Sequence, residues 1–272
     1  MINIYIFGYT GMLGNYVYKY LSSLNTYNIF GFNRNNLNIL DANFKNIDDF
    51  LYKYIDKHQY NIIINVSGII PQSLIDDNHK YYKINAIFPQ WLTILSHKYN
   101  FKLLHISTDC VFSGYKGLYN ENDIHDSYDD YGKSKSLGEN NQITIIRTSI
   151  IGEEIYNKKS LLEWIKSNKN SEINGYTNHL WNGVTCYQLA KIINQIITNN
   201  LFWEGVRHIY SPNIVSKYDL AIMINNIYNL NIKINKHIHH HNINKTLSSI
   251  YNIDEFDIPS LEKQLIEQLG KL

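Results

Sequence analysis

The apolar run of residues 2–7 breaks at Gly8. The chain then reads Gly8-Tyr9-Thr10-Gly11-Met12-Leu13-Gly14 before a helical pattern carries on to Leu24. A short buried strand, a glycine-rich turn and a helix in direct succession form the opening unit of a parallel sheet that binds a dinucleotide. Gly8 and Gly11 let the backbone turn tightly and approach a pyrophosphate, whose charge rests on the helix N-terminus. Gly14 permits close packing of helix on strand. The spacing is Gly-x-x-Gly-x-x-Gly; a turn with helix-packing glycines and no ligand is the plainer alternative. The backbone from Gly8 through Thr10, Gly11, Met12 and Leu13 to Gly14 is the expected phosphate cradle.

The pattern repeats downstream. Residues 27–32 read as the second strand and end in Asn33-Arg34. Where a carboxylate would grip the ribose 2′-hydroxyl of NAD, this chain offers an amide and a guanidinium, suited to the 2′-phosphate of NADP. NADPH is therefore the expected cofactor, with NADH the weaker one. Residues 37–40 read as a short third strand, placing Asp41 where it can meet an adenine amino group. Residues 60–66 form an uninterrupted apolar strand, of the kind covered on both faces in a parallel sheet, and lead into Val66-Ser67-Gly68. Asn85 falls in the first half of a helix over residues 79–99. The strand at 103–106 is followed by Ser107-Thr108-Asp109-Cys110-Val111, and another strand spans 143–147. Six alternations of strand and helix predict an α/β fold with a doubly wound parallel sheet.

In this frame Tyr131 and Lys135 gain meaning. Four residues apart on a helix beginning at Tyr131, they stand on one face. The ammonium favours the phenolate and lowers the phenol pKa, which suits a proton donor to a carbonyl undergoing reduction. Among 23 tyrosines a chance Tyr-x-x-x-Lys is expected, so the cofactor motif upstream supplies the weight.

The remaining composition excludes more than it assigns. A net charge of +1 with 18% charged residues gives no nucleic-acid surface. Cys110 and Cys186, the only cysteines, speak for a reduced compartment over a disulfide scaffold. No apolar run reaches membrane-spanning length and the first residues lack a leader pattern, so a cytoplasmic protein with no membrane partner is expected. The run His239-His240-His241 reads as a solvated loop, and no metal is expected.

Taken together, Gly8-x-x-Gly11-x-x-Gly14, Asn65-Val66-Ser67-Gly68, Ser107-Thr108-Asp109, Tyr131-x-x-x-Lys135 and Ile146-Arg147-Thr148-Ser149 resemble the extended short-chain dehydrogenase/reductases that act on nucleotide sugars. Within them the likeness is nearest to the dTDP-4-dehydrorhamnose reductase group. The resemblance implies a nucleotide-sugar substrate, reduction of a 4-keto-6-deoxyhexose, and a homodimer as an open assembly. It makes Tyr131 the acid, Lys135 the residue that tunes it and holds the nicotinamide ribose, Thr108 the hydroxyl on the reacting carbonyl, and Asn85 the support of a proton relay. It adds Ser107 to the cofactor residues. Asp109, Cys110, Val111, Arg147, Trp181 and Asn182 join Thr108 and Tyr131 at the sugar. Cys110 departs from the reductase pattern and resembles the base of relatives that both epimerise and reduce, although no clear acid partner follows beyond Lys158 or Lys159. A binding-only regulatory subunit is the other alternative. The division implied is an NADP-binding core over 1–150 and an interleaved substrate part over 151–272, whose residues 174–185 read as an amide- and aromatic-rich loop.

Overall fold

A computed structural model describes residues 1–71 and 77–272. Its first unit is β1 (Ile2–Phe7), α1 (Met12–Ser23) and β2 (Tyr27–Phe32), followed by α2 (Phe44–Tyr54) and β3 (Asn61–Asn65). A helical rod comes next: α3 (His79–Tyr81), a π-helical stretch Tyr82–Ile87, and α4 (Phe88–Tyr99). Then follow β4 (Lys102–Thr108), the single 3-10 turn Asp109–Val111, α5 (Asp130–Gly138), β5 (Thr144–Thr148) and β6 (Ile150–Ile151). The second half adds α6 (Leu161–Ser167), β7 (Glu172–Tyr176), β8 (His179–Trp181), β9 (Val184–Thr185), α7 (Cys186–Thr198), β10 (Gly205–His208), β11 (Val215–Ser216), α8 (Lys217–Ile227), β12 (Lys233–His237), β13 (Ile243–Asn244) and α9 (Leu261–Gln268).

The central sheet is parallel, in the order β10-β5-β4-β3-β1-β2. Strand residues alternate between two apolar layers because successive side chains point to opposite faces. Ile4, Ile6, Ile62, Ile64, Leu104, Ile106 and Ile146 pack with α1 and α7. Tyr5, Phe7, Ile63, Leu103 and Ile145 pack with α2 and α4 on the other side. The chain moves from β1 outward to β2 and then crosses back to β3, so the strand order reverses beside β1. Ligands gather outside the carboxyl ends of the strands at such a point. The later elements form a smaller lobe with its own core, including Leu162, Ile173, Trp181, Leu220, Ile224, Leu261 and Leu265.

Three expectations need correction. Residues 37–40 form no strand: Asn35 N–H donates to Asn33 Oδ1, Asn33 N–H to Asn36 Oδ1, and Leu40 N–H to Asn38 Oδ1. These local side-chain bonds compete with a ladder and hold the segment as turns. Residues 174–185 are mostly strand, because β7 pairs with β12 and β8 lies between β11 and β13. The sequence reads residues 131–140 as the start of a long helix, but α5 is short, ending at Gly138 where Glu139 turns extended.

Candidate active site

The crevice opens at the carboxyl ends of β1, β3 and β4. Gly8 has φ +84°, and a Cβ there would lie 2.8 Å from the Ser67 backbone nitrogen. Only glycine reconciles that conformation with the neighbouring strand. A Cβ on Gly14 would collide with the Gly8 carbonyl, so α1 starts hard against the turn. Gly11 occupies the N-cap of α1 and supplies no side-chain hydrogen bond to the first turn, which contains no acidic residue. The first turn therefore presents N–H groups with a positive dipole end, the arrangement that receives phosphate. Met12 is half-buried, while Leu13 is buried in the core. At the end of β2, Asn33 is half-buried and Arg34 is exposed. Asp41 is also exposed and accepts from Asn38 Nδ2 at 2.5 Å.

The Thr108 hydroxyl caps the turn after β4 by accepting from Cys110 N–H at 3.2 Å, and it donates to Asp109 Oδ1 at 3.1 Å. Helix α5 docks on this turn: a Cβ on Gly132 would strike the Cys110 carbonyl and the Ser127 hydroxyl, so glycine beside Tyr131 allows the approach. The N-cap Asp129 carboxylate accepts from Gly132 N–H at 2.7 Å. Tyr131 is thereby brought into hydrogen-bonding reach of Thr108.

The electrostatics differ from expectation. Burial pushes the Tyr131 phenol above its usual range, and the nearby Cys110 and Asp109 push it further, while the Thr108 bond opposes them. Lys135 does not lower it, because its ammonium points inward and donates to the Ile106 carbonyl at 2.7 Å. Burial draws Lys135 itself down to about 8, against the pull of Glu139. Burial, then the charge of Asp109, pushes the Cys110 thiol up to about 12. Asp109 is 4% exposed, and burial raises its carboxyl against Lys245, Lys217, Ser149 and Thr108 around it.

Several expected ligand-binding residues are occupied elsewhere. Arg147 is 1% exposed and spends its guanidinium inside the protein. Nε donates to Glu139 Oε1 at 3.0 Å, Nη2 to Glu139 Oε2 at 2.5 Å and His125 Nε2 at 2.7 Å, and Nη1 to His208 Nε2 at 2.7 Å. The Ser107 hydroxyl joins this network by donating to Glu139 Oε1 at 2.5 Å. Both side chains are committed to this internal network. Asn182 is buried and closes both ends of its amide on Leu247, donating to its carbonyl at 2.8 Å and accepting from its N–H at 2.9 Å. That tether straps residues 245–249 against the site. Val111 is fully buried against Phe112, Tyr119 and Leu247, a packing position.

Asn85, also fully buried, donates to the Ile69 carbonyl at 3.0 Å and the Ser134 hydroxyl at 3.1 Å, and accepts from Ile69 N–H at 3.0 Å. It clamps the loop carrying Val66-Ser67-Gly68 to α5. The π-helical stretch that carries it lets its carbonyl sit against Gly138, where a Cβ would not fit. Sequence reasoning missed Lys217 and Lys245, which converge on Asp109 and Cys110 from the second half of the chain. No spacing rule links them to the first half.

Among the described residues no group of three or more His, Cys, Asp or Glu side chains is placed to hold a metal, and no helix is long and apolar enough to cross a membrane. The His239, His240 and His241 rings meet one another at tilted angles, and His239 packs edge-on against His179 and Tyr176.

Comparison with known proteins places the chain in a family and a fold. The chain is 30% identical over 239 residues to a dTDP-4-dehydrorhamnose reductase of Aggregatibacter actinomycetemcomitans, covering 82% of this chain and 78% of that one. Crystal structures of dTDP-4-dehydrorhamnose reductases share the fold. The Clostridium acetobutylicum protein has a TM-score of 0.81 at 22% identity, and the Bacillus anthracis protein, in complex with NADP, has 0.81 at 23%; each match covers 98% of both chains. Residues 2–248 match the family model described as RmlD substrate binding domain, and the chain belongs to that family.

Proposed function

We propose that this protein is an NADPH-dependent reductase of a nucleotide-linked 4-keto-6-deoxyhexose, serving the synthesis of activated deoxysugars for glycans. The hydrogen-bonding contact of Tyr131 with Thr108 at the carboxyl end of β4, in the same crevice of the sheet as the glycine turn, carries the reading. The residues fit the cofactor. The Gly8-to-Gly14 turn and the open first turn of α1 would hold its pyrophosphate, and Asn33 with Arg34 would meet a 2′-phosphate without a repelling carboxylate. The bound cofactor supplies the hydride. The protein supplies the rest.

Thr108 orients the substrate carbonyl, and Tyr131 gives its proton to the carbonyl oxygen. A phenol raised in pKa still carries that proton at neutral pH, so Tyr131 stands in the acid form the step requires. Lys135, one turn along α5 and anchored on the Ile106 carbonyl, would hold the nicotinamide ribose of the bound cofactor. A neutral Cys110 thiol is a poor base, which favours simple reduction over epimerisation coupled to reduction. The division into a cofactor-binding core over 1–150 and a substrate part over 151–272 belongs to the same proposal.

The test is NADPH oxidation with a panel of dTDP- and UDP-linked 4-keto-6-deoxy sugars, with the product identified by NMR and mass spectrometry. Tight NADPH binding without oxidation by any donor would reject the enzyme in favour of a binding-only subunit.

A further inference from the structure

Lys217 begins α8, just after the N-cap Ser216, and its ammonium reaches back into the crevice. It lies 4.9 Å from the centre of the Trp181 ring and within electrostatic reach of Asp109 and Cys110. It makes no hydrogen bond or ion pair among the described residues. Burial holds its pKa below the usual lysine range. Lys217 is half-buried, and its ammonium faces the Trp181 ring and the Asp109 charge with no hydrogen-bond acceptor on it among the described residues. It is retained here at the edge of a cavity of about 70 Å³, lined also by Ser149, Ile151, Leu161, Trp181 and Leu220. Ser149 hydrogen-bonds Asp109, so the cavity adjoins the turn that bears Thr108.

We propose that this cavity is a subsite for a sugar substituent: a compact acyl-type group with an sp2 oxygen, either a carboxamide or a carboxylate. Lys217 donates to the oxygen, and Ile151, Leu161 and Leu220 cover the carbon atoms. The cavity holds a group of several non-hydrogen atoms. A bare hydroxyl would leave most of the cavity empty, and a methyl would give the ammonium no hydrogen-bond acceptor. This deepens the reductase reading, since it selects which 4-keto donor is used.

Equilibrium binding of stable nucleotide sugars tests the subsite without turnover, so its failure and that of the reductase reading are distinguishable. With NADP present, calorimetry compares UDP-glucose, UDP-N-acetylglucosamine and UDP-glucuronic acid. At least one acyl-bearing sugar should bind tenfold or more tighter than UDP-glucose, and which one does identifies the group. Lys217→Met should cut that ratio at least tenfold, with a melting temperature close to wild type because Lys217 is half-buried and makes no hydrogen bond or ion pair among the described residues. Leu161→Phe, which fills the cavity and keeps Lys217, should also abolish the preference. A wild-type ratio near one, or a ratio that neither substitution changes, overturns the subsite.

Discussion

Arg147→Met should destabilise the protein without selectively weakening its substrate. The guanidinium holds Glu139 with two hydrogen bonds, reaches His125 and His208, and lies 5.1 Å from the Phe112 ring centre. Arginine only donates, so both histidines must accept at Nε2 and carry their proton on Nδ1. Nδ1–H of His208 then donates to the Ser248 carbonyl at 2.7 Å, and that of His125 to the Ser136 hydroxyl at 2.5 Å. One residue thus ties α5, β5, β10 and the strap near Ser248 together. Deleting it leaves the Glu139 carboxylate, 7% exposed at its side chain, without a counter-charge.

Breaking such a pair from one side costs about 3–5 kcal/mol. With an unfolding entropy of about 2.1 cal/mol/K per residue, a chain of 272 residues should lose roughly 5–9 °C in melting temperature. Calorimetry on Arg147→Met, Glu139→Gln and the double variant checks the magnitude. The double variant should recover part of the Arg147→Met loss, because the stranded charge is gone. An unchanged melting temperature together with a raised KM for the sugar donor would refute the argument and return Arg147 to the substrate.

The same network predicts acid sensitivity. Burial and then the Arg147 charge hold His208 down at about 4, and burial lowers His125 as well, whereas an unfolded histidine titrates near 6.5. The folded state therefore binds fewer protons, so this stability is present above pH 6.5 and is lost as pH falls towards 4. The slope reaches up to about 1.4 kcal/mol per pH unit for each histidine. Melting temperatures between pH 7.5 and 5 should fall, His208→Gln should flatten the fall, and a flat wild-type profile would contradict the assignment. If the Cys110 thiol stays neutral, reduction run in deuterated water should leave the hydrogens beside the keto group unexchanged, and Cys110→Ser should still reduce; rapid exchange lost in Cys110→Ser would instead make Cys110 a base. Arg34→Ala should weaken NADPH at least tenfold more than NADH in fluorescence titrations, and equal losses would remove Arg34 from the 2′-phosphate.

The sheet was legible because each strand is a short apolar run stopped by glycine or polar residues, and the glycine turn sits directly after the first of them. Residues 37–40 misled because asparagines at 33, 36 and 38 fold back on their own backbone, a local competition that hydropathy does not register. Strands β7 and β8 were hidden because their partners lie far away in the chain: residue 172 pairs with 233, and residue 179 with 243. At the site, Tyr131 and Lys135 were found through their spacing on one helix, and Thr108 through the family resemblance. Arg147, Ser107 and Asn182 were assigned to ligands through the family resemblance, and the side-chain partners that hold them inside the fold lie on other elements and leave no sequence signal. Lys217 could not be seen at all, since the turn it faces lies about a hundred residues earlier in the sequence.

The central claim is that Tyr131 delivers the proton that completes reduction of a sugar ketone. Following NADPH absorbance with an active 4-keto donor, the Tyr131→Phe variant should lose at least about two orders of magnitude in kcat while its NADPH dissociation constant stays within about threefold of wild type. The phenyl ring preserves packing on Tyr81, whose ring centre lies 6.3 Å away, and removes only the hydroxyl. Turnover equal to wild type would contradict the account.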